Sequence, residues 1–194
     1  MANRSPLSPQ LLIYAYSNGY FPMPDPGTGQ IGWFRPDPRA VIPLDHLHAS
    51  RSLMRTIKRG IFSVTVDQAF TDVMKACAAR PGTWITPEFI AAYSELFRRG
   101  YAHSVEVWHD QHLAGGLYGV ALSGAFFAES MFHTETDASK VALLRLVQHM
   151  TGKGMSLLEV QFLTPHLSTL GAVEVTDEAY MKLLQEALAS TARF

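Results

Sequence analysis

Residues 103–132 read HSVEVWHDQHLAGGLYGVALSGAFFAESMF. Apolar and small residues recur there with the period of two that marks strands. Asp110 and Gln111 interrupt the pattern as a turn would, so the stretch predicts a hairpin, and SGAFFAESMF continues it as a third antiparallel strand. Three adjoining strands make a sheet that must bury at least one face, and the flanking sequence has to supply the cover.

The flanks do so by switching to helical periods. Upstream, HASRSLMRTIKRG reads as a helix and FSVTVD as a strand, and QAFTDVMKACAA sets Phe70, Val73, Met74 and Cys77 on one helical face. TPEFIAAYSELFRRG is a further helix, with Thr86 as cap, Pro87 at the first helical position and Gly100 as terminator. Downstream, DASKVALLRLVQHMTGKG is a helix, LLEVQFL a strand, PHLSTLG a short helical turn and EAYMKLLQEALAS a last helix. Near the start, PQLLIYAYSNG predicts a short helix capped by Ser8. The next segment, FPMPDPGTGQIGWFRPDPRAVIP, carries six prolines and predicts an ordered irregular connection. A small N-terminal lobe (1–37) is therefore expected to precede a main domain (38–194). This order is α+β, and it looks like the acetyltransferase-type fold, in which a mixed, mostly antiparallel sheet flanked by helices splays to admit substrates. Fold order alone assigns no function.

Composition narrows the classes. With 194 residues, 47% hydrophobic and 17% charged, the chain can bury a sizeable core, and a net charge of −1 excludes a globally basic nucleic-acid binder. A local excess remains, because Arg35, Arg39, Arg51, Arg55, Lys58 and Arg59 face only Asp37 and Asp45 between them. Such a run is either a solvated face or a phosphate contact. The single cysteine, Cys77, fits a reducing compartment, and there is no secretory signal or apolar run of membrane-spanning length, so a cytoplasmic protein is expected. The eight histidines show no metal-binding spacing, and no metal is expected.

The chemistry gathers at three polar residues. Strict alternation points Phe127, Glu129 and Met131 to one side of their strand and Phe126, Ala128 and Ser130 to the other. A carboxylate among aromatics costs several kcal/mol, by order of magnitude, unless it is paired or protonated. Glu129 is thus either an edge residue with a cationic partner or the polar floor of a pocket for an amine or a ribose hydroxyl. Glu159 and Gln161, two apart in a predicted strand, project from one face, either to solvent or as a second half of that site. Between them Leu143, Leu146 and Met150 form a helical stripe with Val147, which reads as core and could also wall a pocket.

The strings WFRPDPRAVIP, TWITPEFIAAYSELFRRGYAHSVEVW, GGLYGVAL, FFAESMF, DASKVALL and EVQFLTPHLSTLGA, in that order from about Leu7 to Val175, closely resemble the leucyl/phenylalanyl-tRNA-protein transferase family. The resemblance implies an acetyltransferase-like main domain. It also implies an enzyme that moves Leu or Phe, with Met as leakage, from aminoacyl-tRNA to the α-amino group of an N-terminal Arg or Lys, marking that protein for degradation. Its partners would be aminoacyl-tRNA and a polypeptide with a basic N-terminal residue, with no cofactor, no membrane and a monomeric chain. The family's catalytic glutamine falls on Gln161, the acid that polarises it on Glu159, where Asp is usual, and the aminoacyl-adenosine and amine anchor on Glu129. Trp84 falls on the aromatic flanking the terminal adenosine, with Tyr16 and Tyr93 on tyrosines of the same site. Leu117, Phe126, Met131, Leu143, Leu146, Met150 and Leu158 fall on the side-chain pocket. Phe126 can share a cavity with Glu129 only if a twist or bulge breaks the alternation.

The basic run from Arg35 to Arg59 becomes a candidate contact for acceptor-stem phosphates. Two departures stand out: the N-terminal segment is shortened relative to the family, and Met23 stands where an aromatic is usual. Two other readings stay open on the residues: an acetyl-CoA-dependent N-acetyltransferase, against which HTETDASK lacks a glycine-rich pyrophosphate loop, and an inactive RNA- or degron-binding module.

Overall fold

A computed structural model describes residues 7–25 and 27–194; the remainder of the expected N-terminal lobe lies outside the described residues. The elements run α1 (Pro9–Ser17), β1 (Phe21–Pro24), β2 (Ile31–Phe34), β3 (Arg39–Val41), α2 (Arg51–Arg59), β4 (Phe62–Val66), α3 (Phe70–Ala78) and α4 (Pro87–Arg98). They continue with β5 (Ala102–His109), β6 (His112–Leu122), β7 (Ala125–His133), α5 (Ala138–Gly152), β8 (Leu157–Glu159), α6 (Pro165–Thr169), β9 (Val173–Val175) and α7 (Asp177–Ala189).

Seven strands form one sheet in the order β4-β5-β6-β7-β8-β3-β9, and β1 and β2 form a separate hairpin. The predicted meander is its centre: β5, β6 and β7 pair antiparallel, with Asp110 in the left-handed region at the first turn. Two apolar layers cover the sheet. On one face lie Leu12 and Tyr16 of α1, Phe70, Val73 and Cys77 of α3, Phe89 and Tyr93 of α4, and Tyr180 of α7. On the other lie Leu53 of α2, Val141 to Met150 of α5, and Leu167 of α6. This is the α+β architecture expected from the element order, a mixed, mostly antiparallel sheet flanked by helices.

The proline-rich segment is more regular than expected. Its residues supply β1 and β2, with Phe21 opposite Phe34, and β3, which sits between β8 and β9. These strands are three or four residues long, and β3 exists only because distant partners hold it, so local pattern gives little warning.

One join positions the site. β7 and β8 run parallel but pair only from Ala125–Leu157 to Phe127–Glu159. Beyond that point the chain after β8 stays with β3, since Val160 N donates to Ala40 O at 3.0 Å and Ala40 N to Gln161 O at 3.1 Å. β7 continues to His133 alone on that side. The sheet therefore opens into a wedge immediately after Phe127 and Glu159.

Candidate active site

The cavity in the wedge has a volume of about 330 Å³ and is open to solvent. It is lined by Leu117, Ala128, Glu129, Ser130 and Met131 from the central strands, Leu143 from α5, Arg80 and Trp84 from the turn after α3, and Val160, Gln161, Phe162, Thr164, His166 and Leu167 from beyond β8.

Glu129 is at its base because the β6–β7 pairing slips there. Tyr118 pairs with Ser130 and Gly119 with Ala128, which leaves Glu129 as the extra residue of a bulge. The bulge corrects the simple alternation. Phe126 and Met131 pack in the layer with α5, whereas Phe127 and Phe132 pack in the layer with α1 and α3. Glu129 faces the second layer. Its Oε1 accepts from Tyr16 Oη at 2.5 Å and from Gln161 Nε2 at 3.1 Å, and its Oε2 accepts a long contact of 3.4 Å from Tyr93 Oη. Tyr16 and Tyr93 also hydrogen-bond each other through their hydroxyls. Only 8% of Glu129 is exposed, and burial drives its carboxyl up to about 8, against the downward pull of the Tyr16, Tyr93 and Gln161 bonds; the nearby Glu159 adds to the rise. At neutral pH it is mainly the protonated acid.

Gln161 is held differently from expectation. The strand predicted over LLEVQFL stops at Glu159 because Gln161 has a φ of 57°, and Phe162 N closes a three-residue turn on Val160 O at 2.8 Å. A positive φ at a residue with a Cβ costs about 1–2 kcal/mol. Glu159 offsets it: its Oε1 accepts from Gln161 N at 2.7 Å. Glu159 and Gln161 thus do not share a strand face. The acid grips the main chain of Gln161, Glu129 grips the Nε2 end of its side chain, and the Oε1 end has no hydrogen-bond partner among the described residues.

Beneath them, Arg39 corrects a second expectation. It is 1% exposed, with Nη1 on Glu159 Oε1 at 3.0 Å, Nη2 on Gly19 O, and its guanidinium 4.5 Å from the Tyr180 ring centre. Burial pushes the Glu159 carboxyl above the usual carboxylate range while the Arg39 charge opposes it. An arginine buried in that pair cannot reach an RNA phosphate. Arg35 is engaged as well, its Nε 2.7 Å from Asp177. Of the basic run, Arg51, Arg55, Lys58 and Arg59 remain exposed, at helical spacing on α2.

The apolar set divides. Leu117, Met131 and Leu143 line the cavity, whereas Phe126, Leu146, Met150 and Leu158, each no more than 1% exposed, form the core layer behind. Trp84 lines the cavity, and Tyr16 and Tyr93 are buried behind Glu129, to which both hydrogen-bond. Arg80, Ser130, Phe162, Thr164 and His166 were not anticipated. Ser130, Thr164 and His166 stand inside the FFAESMF and EVQFLTPHLSTLGA strings, which could have flagged them. Nothing periodic marks Arg80.

The family model described as Leucyl/phenylalanyl-tRNA protein transferase matches residues 41–185, and the model of that family's N-terminal domain matches residues 5–37. The chain belongs to the leucyl/phenylalanyl-tRNA protein transferase family. A relative of that name from Herpetosiphon aurantiacus is 53% identical over 97% of this chain and 98% of its own. Another from Salinibacter ruber is 53% identical over 94% of this chain and 80% of its own. Among solved structures, the C-terminal domain of a putative lysylphosphatidylglycerol synthetase from Agrobacterium fabrum superposes with a TM-score of 0.45 at 11% identity, covering 93% of this chain and 57% of that one. Members of this transferase family thus include chains of nearly the same length as this one.

Proposed function

We propose that this chain transfers Leu or Phe from aminoacyl-tRNA to the α-amino group of a polypeptide beginning with Arg or Lys. The observation that carries the proposal is the hold on Gln161, which lines the cavity: main chain fixed by Glu159, amide nitrogen fixed by Glu129, and amide oxygen without a hydrogen-bond partner among the described residues. The aminoacyl ester is already activated, so the protein has to position an amine and manage its proton. In this scheme the neutral amine donates a hydrogen bond to Gln161 Oε1 and attacks the ester carbon. The C–N bond forms, the bond from that carbon to the ribose 3′ oxygen breaks, and the amine's proton ends on the released hydroxyl. Leu117, Met131 and Leu143 receive the aminoacyl side chain, and Trp84 the terminal base. The four exposed cations of α2 contact acceptor-stem phosphates. No step requires a cofactor. Residues 1–37 form the N-terminal lobe, the chain acts as a monomer, and the place of action is the cytoplasm, where charged tRNA is found.

The test is transfer of label from Leu-tRNA and Phe-tRNA to a peptide starting with Arg. Gln161→Ala should lower kcat by about 100-fold or more with little change in KM for tRNA. Absence of transfer from any aminoacyl-tRNA would defeat the function, and full activity in the variant would defeat the role of Gln161.

A further inference from the structure

The cavity is lined by one acid, Glu129, and one arginine, Arg80. The arginine is tethered through two of its three nitrogens: Nη2 donates to Ser130 Oγ at 2.7 Å, and Nε donates to Cys77 O at 3.2 Å. Neither acceptor is charged. Nη1 has no hydrogen-bond partner and the side chain no ion pair among the described residues, although arginines elsewhere on the surface, such as Arg35, Arg98 and Arg99, are paired with carboxylates. Arg80 is therefore an exposed cation held in fixed orientation at the cavity wall with its charge uncompensated. Its tether, Ser130, directly follows Glu129, and both belong to the stretch where the β6–β7 register shifts. Trp84, four residues further along the same turn, lines the same wall.

A planar guanidinium with free donors matches a phosphate, and an aromatic beside it matches the base that the phosphate carries. We propose that Arg80 binds the phosphodiester on the 5′ side of the donor's terminal adenosine, so that Arg80 and Trp84 together fix that nucleotide at the mouth of the cavity. This rests on the transferase reading above and extends it to a residue outside the Gln161, Glu159 and Glu129 group. Ser130 then has a function of its own: it sets the guanidinium relative to Glu129, coupling the grip on the nucleotide to the place where the ester must lie.

The experiment uses two stable donor analogues, 3′-amino-3′-deoxyadenosine carrying an amide-linked phenylalanine, with and without a 5′ phosphate. Calorimetry on the intact protein should show the phosphorylated analogue binding about tenfold tighter. Arg80→Ala should reduce that advantage to within about twofold while leaving the affinity for the unphosphorylated analogue unchanged. In transfer from intact Phe-tRNA the same variant should raise KM at preserved kcat and lower the salt slope of binding by about one. Arg80→Lys should restore part of the phosphate preference. Equal loss for both analogues would mean that Arg80 acts only by holding Ser130, and would overturn the proposal. A wild-type protein without phosphate preference, or one that transfers from intact tRNA yet binds neither analogue, would overturn it too. A wild-type protein that transfers from no aminoacyl-tRNA fails the functional reading itself, an outcome separate from these.

Discussion

At the residue scale, Glu129 is the side chain whose environment most changes its chemistry. An ordinary glutamate ionises near pH 4.5, whereas this one holds its proton to about 8 because it is desolvated. A folded state that binds the proton more tightly than the unfolded chain is favoured at low pH. The contribution is full below about 4.5 and is lost as pH rises through about 8. Its size is on the order of a few kcal/mol, and Glu159, raised in the same direction, adds in the same sense. Glu129→Gln mimics the protonated acid and keeps an Oε1 for Tyr16 and Gln161. The variant should retain transfer within about tenfold and show a denaturation midpoint that declines less between pH 6 and 9 than that of the wild type. Urea melts and rate profiles over that range measure both. A variant that is inactive at every pH would show that the carboxylate, and not the acid, is the working form.

At the element scale, the site depends on where pairing fails: at the bulge in β7 and at the early end of β8. The bulge needs close strand approach. A Cβ on Gly119 would lie 2.2 Å from Phe127 O and 2.5 Å from the Phe126 ring, in backbone and core that cannot yield cheaply. Gly119→Ala should therefore destabilise by about 2–4 kcal/mol and displace Glu129 along with the strand, so that kcat falls even where the protein is fully folded. Thermal melts with transfer assays well below Tm would show this, and a stable, fully active variant would mean that the bulge does not position Glu129. The helices and the central meander were legible in the sequence because their periods are local. The bulge was legible only as a condition, that Phe126 and Glu129 could share a site if the alternation broke. The ends of β8 were not legible, because nothing in LLEVQFL marks Gln161 as left-handed. That conformation is stabilised by a carboxylate two residues earlier that is itself held by an arginine 120 positions away.

At the scale of the whole molecule, Arg39 ties the parts together. It lies on β3, bonds Gly19 after α1, pairs with Glu159 of β8 and packs on Phe21 and on Tyr180 of α7. Removing one partner of a buried pair leaves the other charge unpaired, so Arg39→Met should cost about 3–5 kcal/mol. The double variant Arg39→Met, Glu159→Leu should recover most of that stability and still transfer poorly, because Gln161 N then lacks its acceptor. Comparing denaturation midpoints with kcat for the two variants separates folding from positioning, and restored activity in the double variant would remove Glu159 from the mechanism. The sequence by itself determined the order of the helices and of the central strands, the helix faces, the family, and the neighbourhood of Glu129, Glu159 and Gln161, because periodicity and ordered motifs are properties of short stretches. Which of the named residues meet was decided only by the tertiary structure. Arg39 left the phosphate-binding run for the core, Tyr16 and Tyr93 lie behind Glu129, four of the seven expected pocket residues became its supporting layer, and Arg80 entered the cavity wall. The physical reason is that burial and pairing are set by strands far apart in the chain, whose register and splay no local pattern encodes.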